Sequence, residues 1–93
     1  MASATTPIPL QYPVEIDGAK VDQLKIRRPK VRDMIDAEKG GGGNAEIEVR
    51  LFANLCEVPP ATIEELDMSD YQAVQGVYTG FLSQKQKHAA KPS

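Results

Sequence analysis

Apolar and polar positions alternate from Ile8, with Leu10, Tyr12, Val14 and Ile16 on one side and polar residues or proline between them. This two-residue period is that of a half-buried strand. Asp17-Gly18 follows, a pair suited to a tight hairpin turn that needs positive φ at both central positions. The return strand is predicted over residues 19–28, with Ile16 opposite Ala19 and Val14 opposite Val21. Leu24 and Ile26 then fall out of phase with Val21, and a bulge near Asp22-Gln23 would restore one apolar face. Pro13 has no N–H to give to a ladder, which places the first strand at an edge.

Beyond Pro29 the period changes to that of helices. Residues 31–39 form a short one, with Val31, Met34 and Ile35 on one side and Arg32, Asp33, Asp36 and Lys39 toward water. Glycines 40–43 carry a large ordering entropy and read as a flexible link. With no Gly-Lys-Ser/Thr after them, they are not a phosphate loop. Asn44 is a suitable N-cap for a helix over 44–57, with Glu46 and Glu48 in the dipole-favoured first turn. Its apolar residues Ile47, Val49, Leu51, Phe52, Leu55 and Cys56 spread over nearly half the circumference, so this helix is the expected centre of the core. Val58-Pro59-Pro60 stops it. A capping box of Thr62 with Glu65 opens a helical turn over 62–66, and Asp67 or Ser69 caps a last helix over 68–84. The predicted fold is α+β: an N-terminal antiparallel β-hairpin followed by a small helical bundle, one domain over residues 8–84. Residues 1–7 read as a flexible leader and 85–93 as a flexible basic tail.

The last helix has an unusual surface. Residues 71–84 include no charged side chain. An apolar stripe runs through Met68, Tyr71, Val74, Val77, Tyr78, Phe81 and Leu82, and a row of small residues, Ala73, Gly76, Gly80 and Ser83, lies beside it. Two interior glycines each cost about 1 kcal/mol against alanine, so a compensating contact is expected. Two readings stand open: the row packs within this domain, or another chain lies against it. Under the second, Tyr71, Val74, Gly76, Tyr78, Gly80, Phe81 and Leu82 are the candidate partner-binding residues. The segment is too short and too polar to span a membrane.

Composition narrows the function. A chain of 93 residues with 5% aromatics and no tryptophan has a thin core, a size at which domains are marginal alone. Self-association or a partner would add stability. The net charge of −2 argues against a general nucleic-acid binder, but it is unevenly spread. Lys25, Arg27, Arg28, Lys30 and Arg32 form a basic cluster, whereas residues 44–70 hold Glu46, Glu48, Glu57, Glu64, Glu65, Asp67 and Asp70 against Arg50 alone. Lys85, Lys87 and Lys91 make the tail basic. Such opposed patches are ordinary solvated charge, or they steer partners and orient copies head to tail.

Catalytic chemistry is not legible. The lone Cys56 sits among apolar neighbours and excludes an internal disulfide. His88, the single histidine, lies in the tail without spaced cysteines or acids for zinc. A nucleophile pair with Cys56 would require that tail to fold over a buried thiol. The acids at 64–70 crowd two helix starts, where capping accounts for them. No cofactor fingerprint follows the hairpin. The expectation is a binding protein without enzyme activity, metal or cofactor. The N-terminus lacks the basic and apolar regions of a signal peptide, which sets a cytoplasmic expectation.

Five pieces follow one another along the chain: Pro13-Val-Glu-Ile-Asp-Gly-Ala-Lys-Val-Asp-Gln-Leu-Lys-Ile-Arg-Arg-Pro, then Val31-Arg-Asp-Met and the glycine link, then Leu51-Phe-Ala-Asn-Leu-Cys-Glu-Val-Pro-Pro, Ile63-Glu-Glu-Leu-Asp, and Asp70-Tyr71 leading to Phe81-Leu82. In this order they resemble the small tail assembly chaperones of Mu-like and P2-like contractile-tailed phages. The resemblance covers about residues 8–82. It implies a protein of the host cytoplasm, absent from the finished virion, that holds the tape measure protein soluble until tail tube subunits polymerise around it. It also implies a longer, frameshifted product that recruits the tail tube protein, and no catalytic residues. A homo-oligomer is expected. Two other roles compete: a small regulator contacting nucleic acid through Lys25, Arg27, Arg28, Lys30 and Arg32, though without a stacking aromatic or recognition helix in that cluster, and a structural connector of the virion.

Overall fold

Strands β1 (Thr5–Ile16) and β2 (Ala19–Arg27) pair antiparallel, and four helices follow: α1 (Val31–Lys39), α2 (Asn44–Cys56), α3 (Pro60–Glu64) and α4 (Met68–Ala90). The structure, a computed structural model, describes residues 5–90, with the side chains of residues 5–83. The architecture is α+β, a hairpin followed by helices. The turn is as the sequence predicts, with φ of 52° at Asp17 and 81° at Gly18, a left-handed pair that glycine tolerates best. Ile16 pairs with Ala19 and Val14 with Val21.

The hairpin differs from expectation in two places. β1 begins at Thr5, which pairs with Arg27, so residues 5–7 of the expected leader are strand; residues 1–4 lie outside the described residues. The irregularity also lies on β1 rather than at Asp22-Gln23. Pro9 pairs with Gln23 and Val14 with Val21, so residues 10–13 face Asp22 alone. Proline without an N–H weakens the ladder there, and Asp70 takes up the N–H groups that leave it. The displacement turns Tyr12 outward at 57% exposure while Ile8 and Leu10 stay buried.

A two-stranded hairpin is marginal by itself. Here Ile8, Leu10, Leu24 and Ile26 pack on α2, whose Phe52 and Leu55 are fully buried, with Ile63, Leu66 and Val74 completing the core. α2 is the centre of the core, and its apolar residues occupy the wide arc their spacing predicts. Its N-cap is Gly43, one residue before the expected Asn44, and the Gly43 N–H donates to Glu46 Oε1 at 2.9 Å. Glu57 closes it in the left-handed region. α3 starts at Pro60 rather than Thr62, because proline is preorganised for the first helical position. Thr62 is buried and its N–H donates to the Pro59 carbonyl, so the expected capping box is not made. Asp67 caps α4, accepting from the N–H and hydroxyl of Ser69. α4 runs to Ala90, past the end expected at 84, and residues 91–93 of the expected tail lie outside the described residues.

α1 is turned the opposite way from the sequence expectation. Asp33 and Ala37 face inward at 3% and 1% exposure, while Val31, Met34 and Ile35 face outward. A stronger polar contact decides the rotation: Arg27 donates from both terminal nitrogens to the two Asp33 oxygens at 3.0 and 2.8 Å, and the Lys30 N–H donates to Asp33 Oδ2. A bidentate charge-assisted pair outweighs three half-buried aliphatic contacts. The glycine link is likewise tied rather than loose. Arg50 Nε donates to the Ala37 carbonyl at 2.9 Å, its fork reaches the Gly41 carbonyl, and Gly41 takes a φ of 73°.

Candidate protein-binding face of the last helix

Helical phase assigns the seven candidate residues of α4 to two opposite sides. Val74 is wholly buried, so it offers no surface to another chain. Tyr71 and Tyr78 flank the Phe52 ring with centroids at 5.6 and 5.5 Å, tilted and edge-on, a geometry favoured by ring quadrupoles. Phe81 is half-buried and lies under the Arg28 guanidinium, 5.3 Å from its centroid. Most of the apolar stripe therefore serves the protein's own core. Leu82 remains 44% exposed at its edge.

The small-residue row is on the other side. Ala73, Gly76 and Ser83 are exposed and Gly80 is half-buried. A Cβ built at Gly76 or Gly80 would meet nothing within 4 Å. Of the two readings open at the sequence, packing of this row within the domain does not occur among the described residues. The exposed surface between the glycines is Gln72, Thr79 and Ser83, polar but uncharged, and costs little to desolvate compared with charged groups.

One polar contact fixes the rotation of α4. The Tyr71 hydroxyl donates to Glu48 Oε1, which also accepts from Gln75 Nε2 at 3.0 Å. Burial first, and then the Glu48 hydrogen bond and charge, push the phenol above its ordinary range. It stays a neutral donor at physiological pH. Asp70, read as a helix-start acid, instead accepts the N–H groups of Gln11 and Tyr12 at 2.9 and 3.0 Å.

The basic cluster does not form one continuous site. Arg27 is taken by Asp33 and approached by Glu57 at 3.5 Å, and Arg28 lies over Phe81. Cys56 is buried, and burial pushes its thiol up to about 11. Among the described residues no group of His, Cys, Asp or Glu could hold a metal ion. No described helix is long and apolar enough to cross a membrane. What the arrangement offers is surface for another polypeptide: the uncharged side of α4 and the outward apolar row of α1, which sequence reasoning missed. The available signal for α1 was Asp33, a carboxylate six residues from Arg27 across a proline corner.

Residues 7–83 match a family model described as phage tail assembly chaperone proteins, E, or 41 or 14. No curated protein and no solved structure matches the chain.

Proposed function

Since the chain belongs to the family of phage tail assembly chaperones, we propose that it binds the tape measure protein, keeps that long helical chain soluble and promotes tail tube assembly around it. The observation carrying this reading is the outward side of α4, uncharged and open at Gly76 and Gly80. A helical client can lie close to a backbone that carries no Cβ, and the exposed Leu82 supplies apolar contact beside it. The protein acts by binding, in the host cytoplasm, and leaves before the virion is complete. A frameshifted longer product would add a segment that recruits the tail tube protein.

Gly76→Leu tests the site. A Cβ at this exposed position meets nothing within 4 Å, so the variant is expected to fold and to lose protection of the tape measure protein in an aggregation assay. Protection at the wild-type level removes the α4 face from the binding site. Mass spectrometry of purified virions separates chaperone from connector: the chaperone reading requires the protein to be missing from them.

A further inference from the structure

Two surfaces of this chain stand open at the edge of its fold and are complementary to each other. The first is the corner between β2 and α1. Val31, Met34 and Ile35 stand outward there at 70%, 47% and 48% exposure, one helical row of the i, i+3, i+4 type that normally faces a core. Lys30 precedes the row and Arg32 lies in its first turn, while Lys25 and Arg28, the latter over Phe81, come earlier on the chain; all four are exposed. Among the described residues none of the four is in an ion pair, Arg27 alone being used by Asp33 and Glu57.

The second is a trough along the start of α2, α3 and the start of α4. Two hollows of about 480 and 370 Å³ share Ala45, Val49 and Glu64 and so lie side by side. In the apolar one Ile63 and Leu66 form a floor that belongs to the core, Val49 and Tyr71 are half-buried walls, and Met68 stands open at 67% exposure. The fold uses five of the acids in this stretch: Glu46 on the Gly43 N–H, Glu48 on Tyr71 and Gln75, Glu57 on Arg27, Asp67 on Ser69, and Asp70 on the hairpin. Glu46 and Glu64, which line the trough, are exposed and in no described ion pair. Arg50, the one cation lining the trough, is turned to the Ala37 and Gly41 carbonyls.

We infer that the occupant of this trough is α1 of a second copy of the chain. An apolar helical row preceded by Lys30 and carrying Arg32 meets a trough edged by Glu46 and Glu64, and the same molecule carries both. Toward the C-terminal end of α1 the acids Asp36 and Glu38 outnumber Lys39, so the helix enters with its N-terminal, basic end toward Glu64. The contact pairs two different surfaces: each copy gives a corner to one neighbour and its trough to another, or two copies exchange both about a two-fold axis. The contact is small and partly electrostatic, so association is weak, concentration-dependent and diminished by salt. It leaves the uncharged side of α4 uncovered and does not depend on which client that side takes.

Sedimentation of the full chain with two variants tests this. Val31→Asp/Ile35→Asp removes the corner, and Glu64→Lys/Met68→Asp removes the trough; every substituted residue is exposed, and circular dichroism verifies the folds. Wild type is expected to rise above monomer mass with concentration and to fall back in high salt. Each variant alone is expected to stay monomeric. Their equimolar mixture is expected to stop at a dimer, since one intact corner meets one intact trough. Gly76→Leu is expected to associate as wild type does, which separates this contact from client binding. The inference is overturned by a wild type that stays monomeric at millimolar concentration, by association of either variant at the wild-type level, by a mixture that remains monomeric, or by loss of association in Gly76→Leu.

Discussion

Asp70, at the start of α4, is fastened to Gln11 in the opened stretch of β1: its Oδ1 accepts the Gln11 N–H at 2.9 Å while Oδ2 accepts that of Tyr12 at 3.0 Å. The carboxylate is 2% exposed, and residues 10–13 have left the ladder with β2. A side chain 59 positions away in sequence thus replaces a strand as hydrogen-bond partner. Asp70→Ala removes the acceptor of both N–H groups; Gln11 and Tyr12 are exposed, so the loss is expected to be about 1 kcal/mol for each bond. The variant is expected to unfold at markedly lower urea concentration, and amide exchange at Gln11 and Tyr12 is expected to quicken more than elsewhere in the hairpin. Unchanged exchange at those two amides would mean that the contact does not hold the bulge.

The Arg27 and Asp33 pair sets a pH dependence. The hydrogen bond from Arg27, aided by the Lys30 N–H and opposed by desolvation, holds the Asp33 carboxyl below its ordinary value. A carboxyl depressed in the folded state stabilises fully above its unfolded pKa near 4, and that contribution disappears as pH falls through the lower folded value. Asp33→Asn is therefore expected to be less stable than wild type at pH 7, with the two denaturation curves converging as pH falls below the ordinary carboxyl range. Asp33→Ala leaves Arg27 without its main partner and is expected to cost about 3 kcal/mol, the lower end for a broken buried pair because Arg27 keeps some solvent. A constant difference between wild type and Asp33→Asn across that pH range would contradict the assignment.

How far the chain could be read in advance follows from the range of the interactions. The turn at Asp17-Gly18, the pairing of Val14 with Val21 and the central place of α2 depend on neighbours in sequence or on one strong periodicity, and both are legible. The bulge, the orientation of α1 and the tied glycine link each depend on one distant polar side chain: Asp70 for Gln11, Arg27 for Asp33, Arg50 for Ala37 and Gly41. Periodicity gives no weight to such pairs. It therefore turned Met34 and Ile35 inward, when a bidentate ion pair turns them out. In α4 the uncharged side was visible in the sequence, but its openness was not, because only the packed fold shows that Phe52 draws the aromatic stripe and leaves Gly76 facing away.

Cys56 gives a probe of the α2 core. Desolvation raises its thiol to about 11 from 9.0, so at neutral pH the reactive thiolate is scarcer by roughly two orders of magnitude than for an unperturbed group. Labelling by a disulfide reagent is expected to be slow in the native protein and fast in urea, with a single thiol titrated. It is expected to accelerate in Asp70→Ala in proportion to the loss of stability. Rapid native labelling would place the thiol in contact with solvent.

Val74 and Gly76 lie two residues apart in α4 and should respond to substitution in opposite directions. Val74 is wholly enclosed beside Phe52 and Leu55, so Val74→Ala opens a cavity and is expected to cost about 2–3 kcal/mol. Gly76 has open space where a Cβ would stand, and alanine there removes an interior helix glycine, a gain of about 1 kcal/mol. In a domain of this size the gain corresponds to a rise in Tm of about 4–8 °C, and Gly80→Ala should add a similar step. The more stable glycine variants are also informative about function. If both glycines are present only because the fold tolerates them, Gly76→Ala/Gly80→Ala will protect the tape measure protein as well as wild type does. If a second helix must approach the α4 backbone, the doubly substituted chain will be the more stable protein and the weaker chaperone, and that opposition in one molecule is the expected result.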